Sequence, residues 1–202
     1  MFDTSLRGFK ERITTPVARL IGRRIHPTAI TVAAVPVGLA AAVAAGAGAY
    51  GIALTLWLCN RALDGLDGTV ARLTGAQSDL GGYLDLLLDV VIYSAIPIAL
   101  ALQRGERGLL LVVTVLLALY YVNITSWLYL SALIEKRRQT LRESGRLTSI
   151  AMPAGLVEGS ETIVIYSLAL LLPQHAALLF AVMGGAIIVG IAQRVRWAMR
   201  SL

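Results

Sequence analysis

Cysteine is almost missing from this chain, and charge is scarce. Cys59 stands alone, which excludes a disulfide framework and any multi-cysteine metal site. It is read as a small apolar packing residue. Only 15% of residues are charged, against 57% hydrophobic. A soluble domain carries about 25% charge, so this composition belongs to a membrane protein. The 202 residues suffice for roughly six short spanning helices. They leave no room for a separate soluble domain. Internal repeats and low-complexity linkers are absent too. No cleavable leader is read, because the first apolar run follows a long charged segment and another span comes close behind it.

What charge there is has a pattern. A formal net charge of +6 is compatible with nucleic acid in general, but its distribution points to lipid headgroups and membrane topology instead. Residues 1–26 form the first unit. Leu6, Phe9, Ile13, Val17, Leu20 and Ile21 recur at helical spacing, with Arg7, Lys10, Arg12, Arg19, Arg23 and Arg24 filling much of the rest. This predicts an amphipathic helix lying on an anionic membrane surface, kinked or broken at Pro16. Residues 27–202 form the second unit, an all-α membrane domain of six spans.

The spans are predicted at about Pro27 to Gly46, Tyr50 to the acidic cluster, Leu80 to Gln103, Gly108 to Ile134, Ala154 to Leu172, and from the Pro173–His175 turn to Ile191. Glu135 to Arg146 is read as a basic loop. Of the 18 Lys and Arg residues, all but Arg104 and Arg107 fall on one side of this arrangement. Positive charge marks the cytoplasmic side. Both termini and the acidic cluster are therefore expected to face the cytoplasm, with the protein integral to the cytoplasmic (inner) membrane.

Four aspartates interrupt the apolar pattern. Asp64 and Asp67 close the second span, followed by Gly68, Ala71 and Arg72; Gly81, Asp85 and Asp89 open the third. An ionised Asp at mid-membrane costs roughly 2.5–3.5 kcal/mol even on lenient scales, so such residues mark functional sites. Helix rise puts Asp64 and Asp89 at about the same depth, roughly 21–22 Å from the outer turns, and Asp67 and Asp85 at roughly 27 Å. The spacings i, i+3, i+4, i+7, i+8 and i, i+4, i+8 put each set on one helical face. The small residues leave room beside the acids for a ligand. Two divalent cations would cancel four carboxylates. Oxygen-only donors favour Mg²⁺, Mn²⁺ or Ca²⁺ over zinc. Arg72 adds a cation suited to phosphate. Such a constellation suits phosphoryl transfer. Asp64 as a helix-end cap and Asp79 as the N-cap of the third span are the plain structural alternatives.

The stretch Asp64-x-x-Asp67-Gly68-x-x-Ala71-Arg72, then eight residues, then Gly81-x-x-x-Asp85-x-x-x-Asp89, resembles the full signature of the CDP-alcohol phosphotransferases. The six spans and basic N-terminal helix resemble that family as well. The resemblance implies transfer of a phosphatidyl group from CDP-diacylglycerol to an alcohol hydroxyl, with release of CMP, in phospholipid synthesis. It implies that Asp64, Asp67 and Asp85 hold two divalent ions per subunit, Mg²⁺ or Mn²⁺, with Asp89 completing the second site and acting as general base. It implies that Asp64, Gly68, Ala71, Arg72 and Gly81 receive the CDP-lipid, and that the protein is a homodimer.

The acceptor pocket is read from the same resemblance. Lys136 and Arg137 look like its first part. Around Glu158 and Glu161, relatives that use inositol phosphate or glycerol phosphate tend to carry arginines where this chain has Gly159 and Thr162. An uncharged polyol, an amino alcohol, serine or another lipid hydroxyl gains ground over a phosphorylated polyol. Glu158 and Glu161 are acceptor contacts on one reading and first-turn helix acids on another. Asn60, one turn before Asp64, is a candidate nucleotide contact. Trp57, Trp127, Tyr120, Tyr121, Tyr129 and Trp197 are read as interfacial or packing aromatics, and His26 as a surface residue. A divalent-cation transporter using the four acids is the competing function, and a catalytically inactive scaffold a third.

Overall fold

The computed structural model describes residues 15–22, 25–143 and 159–201, and they form an all-helical fold. A helical stretch over residues 15–21 leads in. It is followed by α1 (Pro27–Gly46), α2 (Tyr50–Thr74), α3 (Asp79–Arg104), α4 (Arg107–Glu143), α5 (Gly159–Leu171), a 3-10 turn (Pro173–His175) and α6 (Ala176–Ser201). Among the described residues, four segments are long and apolar enough to cross a membrane: Pro27–Gly46, Asp79–Arg104, Arg107–Gln139 and Pro173–Ser201. These mark an integral membrane protein. α2 has the length, 25 residues, but Arg61, Asp64, Asp67 and Arg72 dilute its hydropathy. The described part of α5 has 13 residues, about 20 Å of helix, shorter than a hydrocarbon core of about 30 Å.

α1 packs against both α2 and α3; α5 lies on α2, and α4 pairs with α6. Small residues set the first contact. Ala34, Gly38, Ala41, Ala42 and Ala45 are the buried stripe of α1, which lets helix backbones approach closely. A Cβ at Gly38 would lie 2.7 Å from Ile92 and 2.9 Å from Asn60. At the far end, Trp57 stacks on Tyr166 with ring centroids 5.2 Å apart, and Tyr166 meets Phe180 edge-on. Tyr166 donates its hydroxyl hydrogen to the Tyr93 carbonyl at 2.6 Å. Arg194 of α6 donates to the carbonyl and side-chain oxygens of Asn123 on α4.

Several local expectations need correction. The Glu135–Arg146 segment is not a loop from its start: α4 runs on to Glu143, 37 residues in all. Its basic residues are compatible with helix, so charge alone did not reveal the continuation. Ser78, not Asp79, caps α3; its Oγ accepts the Gly81 N–H at 3.1 Å. Cys59 is exposed rather than packed inside, because the buried face of α2 runs through Ala53, Trp57, Asn60 and Arg61. Pro16 falls at the start of the described helical stretch, and the residues before it lie outside the described ones. Of the predicted N-terminal apolar stripe, Val17 and Leu20 point outward while Ala18 packs with Ile30 and Val70. Residues 1–14, 23 and 24 of that unit lie outside the described residues.

Candidate active site

Three helices bring the site together. α1 opens with Pro27 at its first turn, and His26 caps it by accepting the Thr28 N–H at 3.3 Å. α2 ends at Gly75, whose φ of +67° turns the chain back in a left-handed conformation and lets its N–H bond the Ala71 carbonyl. Four residues later α3 begins under the Ser78 cap. This tight connection holds the end of α2 and the start of α3 side by side, over the N-terminus of α1.

Between these ends lies an open cavity of about 190 Å³. Asp67, Gly68, Ala71, Arg72, Gly81 and Asp85 line it, together with Pro27, Thr28 and Thr31 of α1 and Gln77 and Ser78 of the connection. The glycines keep its wall bare. A Cβ at Gly68 would lie 3.4 Å from the Arg72 guanidinium, and one at Gly81 3.1 Å from Ser78 Oγ. Arg72 is exposed, with Nη2 donating to Thr69 Oγ1 at 3.3 Å. Its charge is thus carried at the cavity rim.

A second, smaller space lies deeper between the same helices. Asp64, Asp67, Asp85 and Asp89 all line it, with Thr31, Asn60 and Arg61. The structure thus brings the four predicted acids together. Asp85 lies close to Asp64, Asp67 and Asp89. Asp67 is buried and accepts the Thr31 hydroxyl at 2.6 Å. Asp89 accepts from Arg61 Nη2 at 2.8 Å, and Asp64 lies 3.8 Å from Arg61 Nη1.

The donor chemistry suits a hard divalent ion, because every donor here is oxygen. Among the described residues, no three carboxylate, imidazole or thiol groups are yet spaced to cage an ion as they stand. Binding an ion would require the aspartates to turn toward one another.

The remaining described candidates do not line the outer cavity. Asn60 does not reach the outer cavity as a nucleotide contact: it is buried, donates to the Ala34 carbonyl at 2.8 Å and accepts from Arg61. Arg137 donates to the Ser201 carbonyl at 3.1 Å, tying α4 to the end of α6. Neither Lys136 nor Arg137 lines the two spaces at the aspartates. Glu161 sits in the first turn of α5 and accepts from Ser160 Oγ at 3.0 Å. Glu158 lies outside the described residues.

Three contributors escaped the sequence reading. Thr28 and Thr31 were signalled by hydroxyls one turn apart directly after Pro27. Arg61 was counted only as a topology charge, although a guanidinium one turn ahead of an intramembrane acid is itself a pairing signal.

The family profile described as CDP-alcohol phosphatidyltransferase matches residues 24–192. The chain belongs to that family. It is therefore a phosphatidyltransferase, an enzyme of phospholipid biosynthesis. Among its relatives, Inner membrane protein YnjF of Escherichia coli (strain K12) is 34% identical over 160 residues, 79% of this chain and 76% of that protein. The Bifunctional IPC transferase and DIPP synthase of Thermococcus kodakarensis is 34% identical over 83 residues, 41% of this chain but 19% of that protein. The fold matches phosphatidylinositol phosphate synthase (PgsA1) of Mycobacterium tuberculosis. The structure of that synthase with CDP-DAG bound aligns at a TM-score of 0.69 and 20% identity, covering 92% of each chain. Its complex with manganese and citrate aligns at 0.69 and 19%, covering 91% of this chain and 87% of that one.

Proposed function

We propose that this member of the family moves the phosphatidyl group of CDP-diacylglycerol to an alcohol hydroxyl and releases CMP. The observation that carries this reading is a single open cavity lined by Asp67, Gly68, Ala71, Arg72, Gly81 and Asp85, with Asp64 and Asp89 directly beneath. The CDP-DAG named for the mycobacterial synthase supports the donor, and the manganese complex of that protein supports a divalent metal.

In this reading Arg72 pairs with the diphosphate at the cavity rim, where a guanidinium fork matches phosphate oxygens. Gly68, Ala71 and Gly81 leave the wall open for the cytidine and diphosphate, and Thr28 and Thr31 offer hydroxyls beside it. Asp64, Asp67, Asp85 and Asp89 hold two Mg²⁺ or Mn²⁺ ions. When bound, these ions neutralise charge that develops on the phosphate oxygens and on departing CMP. Asp89 accepts the proton of the acceptor hydroxyl. The hydroxyl oxygen forms a bond to the phosphorus bearing diacylglycerol, the bond from that phosphorus to CMP breaks, and CMP leaves with the electron pair.

The acceptor is an alcohol without a phosphate. Thr162 is buried and Gly159 faces open space, so these two positions of the first turn of α5 offer no cation to a second phosphate. Glu161 and Glu158 are the acceptor contacts in this reading, with Lys136 and Arg137 near the membrane surface. A phosphorylated polyol, such as glycerol phosphate or inositol phosphate, is the alternative acceptor. The protein spans the inner membrane six times as a homodimer, with termini and cavity on the cytoplasmic side. The Escherichia coli relative named as an inner membrane protein supports that location. A cation transporter fits less well, because the acids gather at one end of α2 and α3. Incubating purified protein with CDP-diacylglycerol and a panel of alcohols, then weighing the product lipid by mass spectrometry, tests the reading and names the acceptor.

A further inference from the structure

Arg61 forms the inner wall of the acidic cluster, and the reaction described above gives it no role. It is buried. Nη2 donates to Asp89 and Nη1 to the Tyr93 hydroxyl, both at 2.8 Å. Nε and Nη2 donate to Asn60 Oδ1 at 3.0 and 2.6 Å. The guanidinium lies 4.8 Å from the Trp57 ring centroid and 4.9 Å from that of Tyr93. Its supports are themselves fixed, since Trp57 is fully buried against Tyr166 and Asn60 is bonded to α1. A guanidinium held by a planar fork and two aromatic faces is a stationary charge.

The four acids divide around it. Asp67 and Asp85 line both the outer cavity and the inner space, whereas Asp64 and Asp89 line only the inner one. Asp64 and Asp89 are also the two that face Arg61. One of the four negative charges is therefore already cancelled, and the cancellation falls on the inner pair. A divalent ion at Asp67 and Asp85 meets two carboxylates outside the Arg61 ion pairs, one of which accepts from Thr31. A second ion at Asp64 and Asp89 approaches a fixed cation.

We propose that Arg61 is a resident counter-cation and positioning residue. It holds Asp89 in place and makes the two cation positions unequal. The substrate-free protein takes up one divalent ion tightly at Asp67 and Asp85. The second ion binds weakly until a diphosphate brings its own negative charge. This rests on the quartet being a divalent-metal site.

Equilibrium Mn²⁺ binding to the detergent-solubilised full chain, followed by the electron paramagnetic resonance of free Mn²⁺, tests it without any turnover. Wild type is expected to show one tight and one weak ion, at least about tenfold apart, the minimum that like-charge repulsion at this range predicts. Arg61→Gln removes the charge and keeps a polar group in place; its weak ion should tighten by about tenfold or more. Arg61→Lys keeps the charge and should keep the weak ion weak. A residue that served only to hold the helices together would behave oppositely, with Gln loosening Mn²⁺ or leaving it unchanged. That result overturns the proposal. If Arg61→Gln does not fold, wild type decides alone, and two ions of equal affinity overturn it. Wild type that binds no Mn²⁺ removes the metal reading itself, a different outcome from two equal ions.

Discussion

Asp89 meets two demands with one side chain. Its carboxylate accepts from Arg61 at 2.8 Å and still lines the space shared with the other three acids. In the proposed reaction Asp89 takes up a proton, and its bond to Arg61, itself held by Tyr93 and Trp57, keeps it in place. Asp89→Asn keeps the shape and loses the proton acceptor. It is expected to bind CDP-diacylglycerol within about twofold of wild type while CMP release falls by about 10²–10⁴-fold, the usual range for general-base loss; equal turnover would remove Asp89 as the base. Arg72 separates from it cleanly. It is exposed at the cavity rim, and in the proposed reading it contacts the donor rather than the acceptor. Arg72→Ala should weaken CDP-lipid binding by about 10- to 100-fold, the worth of one charge-assisted contact to phosphate. Titration of the lipid against purified variant checks this.

α2 and α3 show why much of the site was legible and part was not. The faces of both helices were readable because helical spacing alone decides which residues share a side. Asp64, Asp67, Gly68, Ala71 and Arg72 could only project together, and so could Gly81, Asp85 and Asp89. Matched depth followed from helix rise. What Arg61 does depends on Asp89 and Tyr93, 28 and 32 positions further on, and so on how α3 leans against α2. No local pattern encodes that. The α1 contribution was hidden for the same reason: Thr31 reaches Asp67 only because Gly38 and the alanines bring α1 close. The continuation of α4 to Glu143 was illegible because charge marks the side of the membrane and not where a helix stops. At this scale Gly38→Val is the informative change. Its side chain would press on Ile92 and Asn60, and overpacking of this kind lowers stability by about 1–3 kcal/mol. A lower midpoint in a thermal unfolding assay should accompany weaker Mn²⁺ binding, because the same displacement moves Thr31 away from Asp67.

The whole molecule is an apolar bundle built around an acidic hollow. Among the described residues, four helical segments are long and apolar enough to cross a bilayer, and α2 gives up hydropathy in order to carry the acids. In the proposed reading divalent cations occupy this hollow and offset its negative charge, so chelation should act on the entire protein. EDTA is expected to stop CMP release and lower the unfolding midpoint together, and added Mg²⁺ or Mn²⁺ to restore both. Activity that survives exhaustive chelation would contradict the two-ion reading. The central claim is transfer of phosphatidyl to an alcohol, and one assay reaches it directly. Purified protein in mixed micelles receives CDP-diacylglycerol, Mg²⁺ or Mn²⁺ and a panel of alcohols, with CMP and the product lipid measured by mass. CMP equal in amount to one new phospholipid, formed only with a particular alcohol, is the predicted result; no CMP with any alcohol tried would contradict it.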